Sequence, residues 1–168
     1  MRSGDDPVSS PLPDTDSVRQ DVAVATISGA GWRLSLPAGF PPKAHKAYGY
    51  ESGTIARGFV GDGPVTVIVQ VKQLETGFNE WVRRVSAHWL ESEPPRRLSV
   101  QGARDAVRID GYVEFDGLGA RDNRERCVAL YAKSGKSLVS LTIRSRPEDA
   151  LDLELEPILD SLELLPAT

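Results

Sequence analysis

Ser134, Gly135, Lys136 and Ser137 spell the end of a phosphate-binding loop, the motif in which backbone amides and a lysine cradle the phosphates of a nucleotide. That chemistry needs a further glycine five positions before the Gly-Lys pair. It also needs a following helix whose N-terminus aims more amides at the anion. Leu130 stands where the glycine is required, and the strand-like run "SLVSLTI" follows. The four residues therefore read as a hairpin turn carrying a solvated lysine.

Other residues that could do chemistry are few. A serine nucleophile needs a histidine base, and only His45 and His88 exist, neither in the context of a Gly-x-Ser-x-Gly elbow. His88 falls on the polar side of a helical pattern. His45 sits between Lys43 and Lys46 in a loop, where a histidine is usually exposed. Two histidines and one cysteine without paired spacing make a poor ligand set, so neither a metal nor a cofactor is expected. Cys127, between Arg126 and Val128, reads as a small buried apolar residue rather than a reactive thiol. Asp110 and Glu114 flank Tyr112 on one strand face and are the carboxylate pair best placed for acid and base work. Arg104 and Arg108 share that face, and would pair with the carboxylates and hold them ionised. Catalysis is not expected from these residues.

What remains is surface. Three regions suit a protein partner: the polar strand face of Arg104, Arg108, Asp110, Tyr112 and Glu114, the loop 41–50 with Tyr48 and Tyr50, and the loop 116–123. Tyrosine and arginine dominate interface energetics, which favours the first two. Tyr48 and Tyr50 follow Pro41 and Pro42, and a stiff loop presents aromatics with little entropy loss. The plain alternative is a solvated sheet face and an ordinary loop.

Composition bounds the elements that must position these groups. A chain of 168 residues, 40% hydrophobic and 26% charged, suits one domain with one core. Its net charge of -4 argues against nucleic acid, whose binding draws on clustered lysine and arginine. A single cysteine provides no internal disulfide and is compatible with the reducing cytosol. Residues 1–20, rich in Pro, Ser and Asp, read as a flexible tail before a domain over 21–165. No run approaches the length of a membrane span or the core of a signal peptide, so a cytoplasmic location is expected. A gene start further upstream, with a lipoprotein signal, would change that.

Along the domain, 22–28 and 32–37 read as strands with a turn at Gly29 and Gly31. The stretch from Ala38 to Gly53 reads as surface loop. Runs 54–60 and 65–72 flank "GDGP" and predict a hairpin. Phe78, Trp81, Val82, Val85 and Trp89 recur at helical spacing, with Thr76 as a cap and an end near Glu91 before Pro94. Such a stripe packs on a sheet more often than it stacks a ligand. The runs 104–115, 125–133 and 138–144 predict an antiparallel meander. The 104–115 run should bury one face, carrying Val107 and Ile109, and wet the other. Ser145 and Glu148 form a capping box, with Pro147 in a first turn, ahead of an apolar helical face of Leu151, Leu155, Ile158, Leu159 and Leu162. Pro157 should kink or split that helix near Glu156, and the alternation of Leu151, Leu153 and Leu155 also fits a strand.

The order of a strand ending in "LSLPAGF", a hairpin with "VTVIVQV", a helix opening with "FNEWV", a long meander and a final "ILDSLEL" resembles the Mog/PsbP-like fold, with its DcrB and LpqN lipoprotein relatives. The resemblance spans about Trp32 to Leu164. It implies an α+β class with an antiparallel sheet sandwiched by helices. Members include a nuclear-transport GTPase binder, an extrinsic subunit of the photosynthetic water-oxidising complex, bacterial lipoproteins and secretion-effector chaperones, most of them without enzymatic activity. The resulting expectation is a non-catalytic adaptor or chaperone-like module of a secretion system or other assembly, with a protein partner. The alternative is a small-ligand carrier or enzyme using a cleft between the central helix and the sheet. Oligomeric state stays open: an exposed edge strand can pair with itself, and the sequence does not say which strand lies at an edge.

Overall fold

The computed structural model describes residues 24–60, 63–89, 91–114, 124–145 and 155–166. In chain order the elements are β1 (Val24–Gly29), β2 (Trp32–Pro37), β3 (Pro42–Ala44), β4 (Ser52–Val60), β5 (Gly63–Gln73), α1 (Phe78–Ser86), β6 (Glu91–Ser92), β7 (Arg96–Arg97), β8 (Asp105–Glu114), β9 (Arg124–Ser134), β10 (Ser137–Ser145), α2 (Leu155–Asp160) and β11 (Glu163–Leu164). Eight strands form one sheet: seven in the order β3-β4-β5-β10-β9-β8-β6, with β7 also paired to β8. β1-β2-β11 form a second, smaller sheet. Every strand pair is antiparallel, so the chain is α+β and dominated by antiparallel sheet.

Short connections force this topology. Ser134 pairs with Ser137, and Gly135 between them takes a φ of 60°, the left-handed conformation a two-residue hairpin turn demands. "SGKS" is thus the turn its sequence implied. Val60 pairs with Gly63, which confirms the β4–β5 hairpin; the connecting positions 61 and 62 lie outside the described residues.

Both faces of the large sheet are covered. On one, Val65, Val67 and Val69 of β5, Leu141 and Ile143 of β10, and Val128 and Leu130 of β9 meet Trp32, Leu34 and Leu36 of β2 with Leu155, Ile158 and Leu159 of α2. On the other, Val107, Ile109, Ala129, Tyr131 and Leu138 meet Phe78, Trp81 and Val82 of α1. The first face is therefore roofed largely by a second sheet, joined by one six-residue helix. A strand covered on both sides loses its polar alternation, and in β9 every residue from Cys127 to Ala132 is buried.

The structure departs from the sequence expectations at five places. The second face of β8 is only partly wet: Ala106 is 4% exposed in the core under the smaller sheet, and Arg108, Asp110 and Tyr112 are half-buried. The segment 38–53 holds β3, tolerated because Pro42 begins an edge strand, where a missing N–H breaks no ladder. Helix α1 stops at Ser86 because the chain is needed further on as β6, paired with Gly111 and Tyr112. Its N-cap is Gly77 rather than Thr76, with no side-chain cap bond. Ser145 ends β10 opposite Val65, and α2 is described over Leu155–Asp160, with Leu162 beyond its end; Pro147, Leu151 and Leu153 lie outside the described residues. Residues 1–20, the loop 116–123 and Glu148 lie outside the described residues.

Leu141 is fully buried at the centre of this packing. Leu141→Ala is expected to lower unfolding free energy by about 2–5 kcal/mol. Phe59→Ala, at a 69% exposed position, should stay within about 0.5 kcal/mol of wild type. Urea titration followed by tryptophan fluorescence checks both.

Candidate partner-binding surface

Register divides the residues singled out on β8 among three surroundings. Arg104 precedes the strand and is exposed. It borders an open cleft of about 460 Å³ between the first turn of α1 (Gly77 to Glu80) and the sheet residues Asp105 and Lys133. Arg108 and Asp110 face α2 and are mostly buried. Asp110 and Tyr112 also border a second cleft of about 390 Å³ with Glu91, Glu93 and Arg126. Glu114 ends the strand opposite Arg124. Arg104 therefore stands apart from the adjoining Arg108, Asp110 and Tyr112.

Arg108 is engaged by its own chain at all three guanidinium nitrogens. Its Nε donates to Asp110 Oδ2 at 2.8 Å, its Nη2 to Asp110 Oδ1 at 2.9 Å, and its Nη1 to Glu156 Oε1 of α2 at 2.6 Å. Arg96 of β7 adds a bond to Asp110 at 3.3 Å. Burial pushes the Asp110 carboxyl upward, but the hydrogen bonds and charges of Arg108 and Arg96 outweigh it and hold the group below the ordinary carboxylate range. The side chains of Arg108 and Asp110 are 12% and 16% exposed, so this fork is a fastening between sheet and helix and holds no free acid or base. The sequence showed Arg108 beside Asp110. It concealed Arg96 and Glu156, which come from separate elements.

The opposite face of the same strands is a core. Trp81 meets Tyr131 edge-on, with ring centroids 4.7 Å apart and planes at 78°, and Tyr131 is hydrogen-bonded to Trp89. Trp81 is thus core, as its spacing implied, and neither tryptophan borders the cleft beside α1. Cys127 is 2% exposed, and burial pushes its thiol up to about 12. His88 is exposed, while His45 has its backbone N–H on the Gly53 carbonyl.

The tyrosine loop is built differently from its neighbours. The Tyr50 N–H bonds the Ala47 carbonyl at 3.2 Å around Gly49, whose φ is 86°, which places Tyr48 at the corner of a tight turn. Bonds from His45 to Gly53 and from Glu51 to Val71 fasten the loop on both sides. Tyr50 is half-buried, with the Lys72 ammonium 5.6 Å from its ring centre, and burial raises its hydroxyl pKa. Tyr48, by contrast, is fully exposed at 104%. These bonds and the prolines before them stiffen the loop, while Gly49 supplies the left-handed φ that the turn requires.

The sequence matches no protein-family model and no curated protein. Among solved structures, the chain superposes on cyanobacterial PsbP of Synechocystis at a TM-score of 0.54, with 16% identity, over 92% of this chain and 99% of that one. The fold is PsbP-like. A protein of unknown function from Pseudomonas aeruginosa superposes at 0.52, with 11% identity, over 86% of this chain and 98% of its own. LpqN of Mycobacterium tuberculosis, involved in cell envelope biogenesis, aligns at 0.46 with 12% identity over 94% and 100%. At such identities the PsbP-like fold is shared, and site residues do not transfer.

Two outcomes test the local chemistry. Asp110 has a lowered pKa, so its contribution is present above the unfolded carboxylate pKa and is lost as pH falls through the folded value. Stability should therefore drop on acidification below the usual carboxylate range. Asp110→Asn should lower stability at neutral pH and flatten that acid limb in pH-dependent thermal melts. Cys127 should resist maleimide labelling in the folded protein and react once denatured. Labelling at a free-thiol rate under native conditions would contradict the burial.

Proposed function

We propose that this protein is a non-catalytic binding module that engages a protein partner through the turn at Tyr48, as an adaptor or chaperone-like accessory of a larger assembly. The observation that carries it is the bare Tyr48 ring on a backbone already fixed by the His45, Tyr50 and Glu51 hydrogen bonds. Aromatic anchors on pre-ordered loops contribute strongly to binding, because little freedom is lost when they dock. The absence of enzymatic activity is part of the proposal. It rests on the internal pairing of Asp110 and the burial of Cys127. Proteins of this fold, such as cyanobacterial PsbP, supply the shape alone and not the partner.

A second reading draws on the cleft beside α1, where Arg104 and Lys133 offer cations near Glu80 and Asp105. A small polar ligand carried there would make the chain a carrier. Affinity capture from native lysate with wild type and Tyr48→Ala distinguishes the two. A partner lost with Tyr48→Ala and retained by Phe59→Ala supports the module. Equal capture by all three chains removes Tyr48 from the account. Melting with a metabolite panel reads the carrier: a ligand at one hundred times its dissociation constant adds about 2.7 kcal/mol.

A further inference from the structure

The two sheets have four edges, and three of them are protected among the described residues. β3 is three residues long and contains Pro42 and Lys43; β8 is lined by β6 and β7; β11 is two residues long with Gln101 bridged beside Glu163. Shortness, proline, lysine and covering segments are the devices by which sheet edges avoid pairing with other chains. Among the described residues β1 has none of them. Its six residues, Val-Ala-Thr-Ile-Ser-Gly, are uncharged, all but Ile27 are exposed, and Val24 is 64% exposed.

The hairpin fixes which backbone groups face the open edge. Gly29 pairs with Trp32 across a two-residue turn, so the bonded pairs of the ladder are Gly29 with Trp32, Ile27 with Leu34, and Ala25 with Leu36. Val24, Thr26 and Ser28 occupy the alternate pairs, opposite Pro37, Ser35 and Arg33. Two observations agree with this phase. Pro37 has no N–H to give to Val24, and the Ser35 N–H turns away from Thr26 to bond Ser161 Oγ at 3.0 Å. Val24, Thr26 and Ser28 therefore send their N–H and C=O groups outward.

We propose that β1 is a self-association strand, two copies of the chain pairing antiparallel about a two-fold axis at Thr26. In that register Thr26 faces the second copy's Thr26, and Val24 faces Ser28 in both directions. The three outward N–H groups of each strand then all find carbonyls. A two-fold axis at Thr26 pairs all three described outward residues of the edge with the same edge of the second copy, and the uncharged strand does not repel its copy. Capture of a foreign strand draws its specificity from pockets for alternate side chains, and both clefts described above lie beside β8 rather than β1. The small sheet becomes six-stranded across the dimer. An interface of one strand pair falls below about 1,200 Å², in the weak, transient class.

Sedimentation velocity of the full chain over rising concentration should show a monomer–dimer equilibrium. Thr26→Pro removes an outward N–H while keeping every β1–β2 bond, and should weaken association at least about tenfold. Thr26→Cys should cross-link to itself under mild oxidation, because bonded antiparallel pairs hold their Cα atoms about 5.5 Å apart. Val24→Cys should not, since its two copies would lie about 13 Å apart along the strands. Buried Cys127 does not compete. A monomer at every concentration overturns the proposal, as does equal cross-linking of the two cysteine variants. A Thr26→Pro chain that melts like wild type yet dimerises unchanged overturns it too. If Thr26→Pro fails to fold, the cysteine pair still decides.

Discussion

Cys127 to Ala132 are buried without interruption in the middle of β9, so both faces of the large sheet must be covered at once. Helix α1 covers one face with Phe78, Trp81 and Val82, and the small sheet with α2 covers the other with Trp32, Leu34, Leu36 and Ile158. At roughly 25 cal/mol per Å² of apolar surface removed from water, this double burial is the main force holding the layers together. Two glycines mark where backbone replaces side chain in that packing. Gly102, at a φ of 82°, lies against the Leu164 backbone, and Gly111 lies against Glu91, so a Cβ at either position would collide.

Layering on both faces also settles what the polar residues can do. Arg108 and Asp110 lie between sheet and α2, where an unpaired charge would be costly, and each meets the other through two hydrogen bonds. Their pairing secures a layer contact and removes the carboxylate best placed for chemistry. Exposure is left to the segments outside the layers, chiefly the Tyr48 turn and the outer edge of β1.

Much of the strand pattern was legible because alternation and turn chemistry are local. The β2 span, the β4–β5 hairpin and the Ser134–Ser137 turn depend on residues a few positions apart. The end of α1 was not legible, because residues 91 and 92 are claimed by a strand twenty positions away. Nor was the end of β10: a serine, a proline and a glutamate in the right order look like a cap, whereas Ser145 is held in the sheet opposite Val65. Of the residues proposed for the surface, Tyr48 stands where its type and context implied, and Arg108 does not, since exposure depends on what packs above it.

From its sequence alone this chain fixed its class, its meander and the failure of its phosphate-loop fragment, since each follows from the conformational preferences of neighbouring residues. Tertiary structure alone decided that Ala106 on the second face of β8 is buried, that Arg108 is spent on Asp110 and Glu156, and that β1 lies at an edge of the small sheet. Those outcomes depend on groups brought together from distant parts of the chain, whose proximity no local pattern encodes.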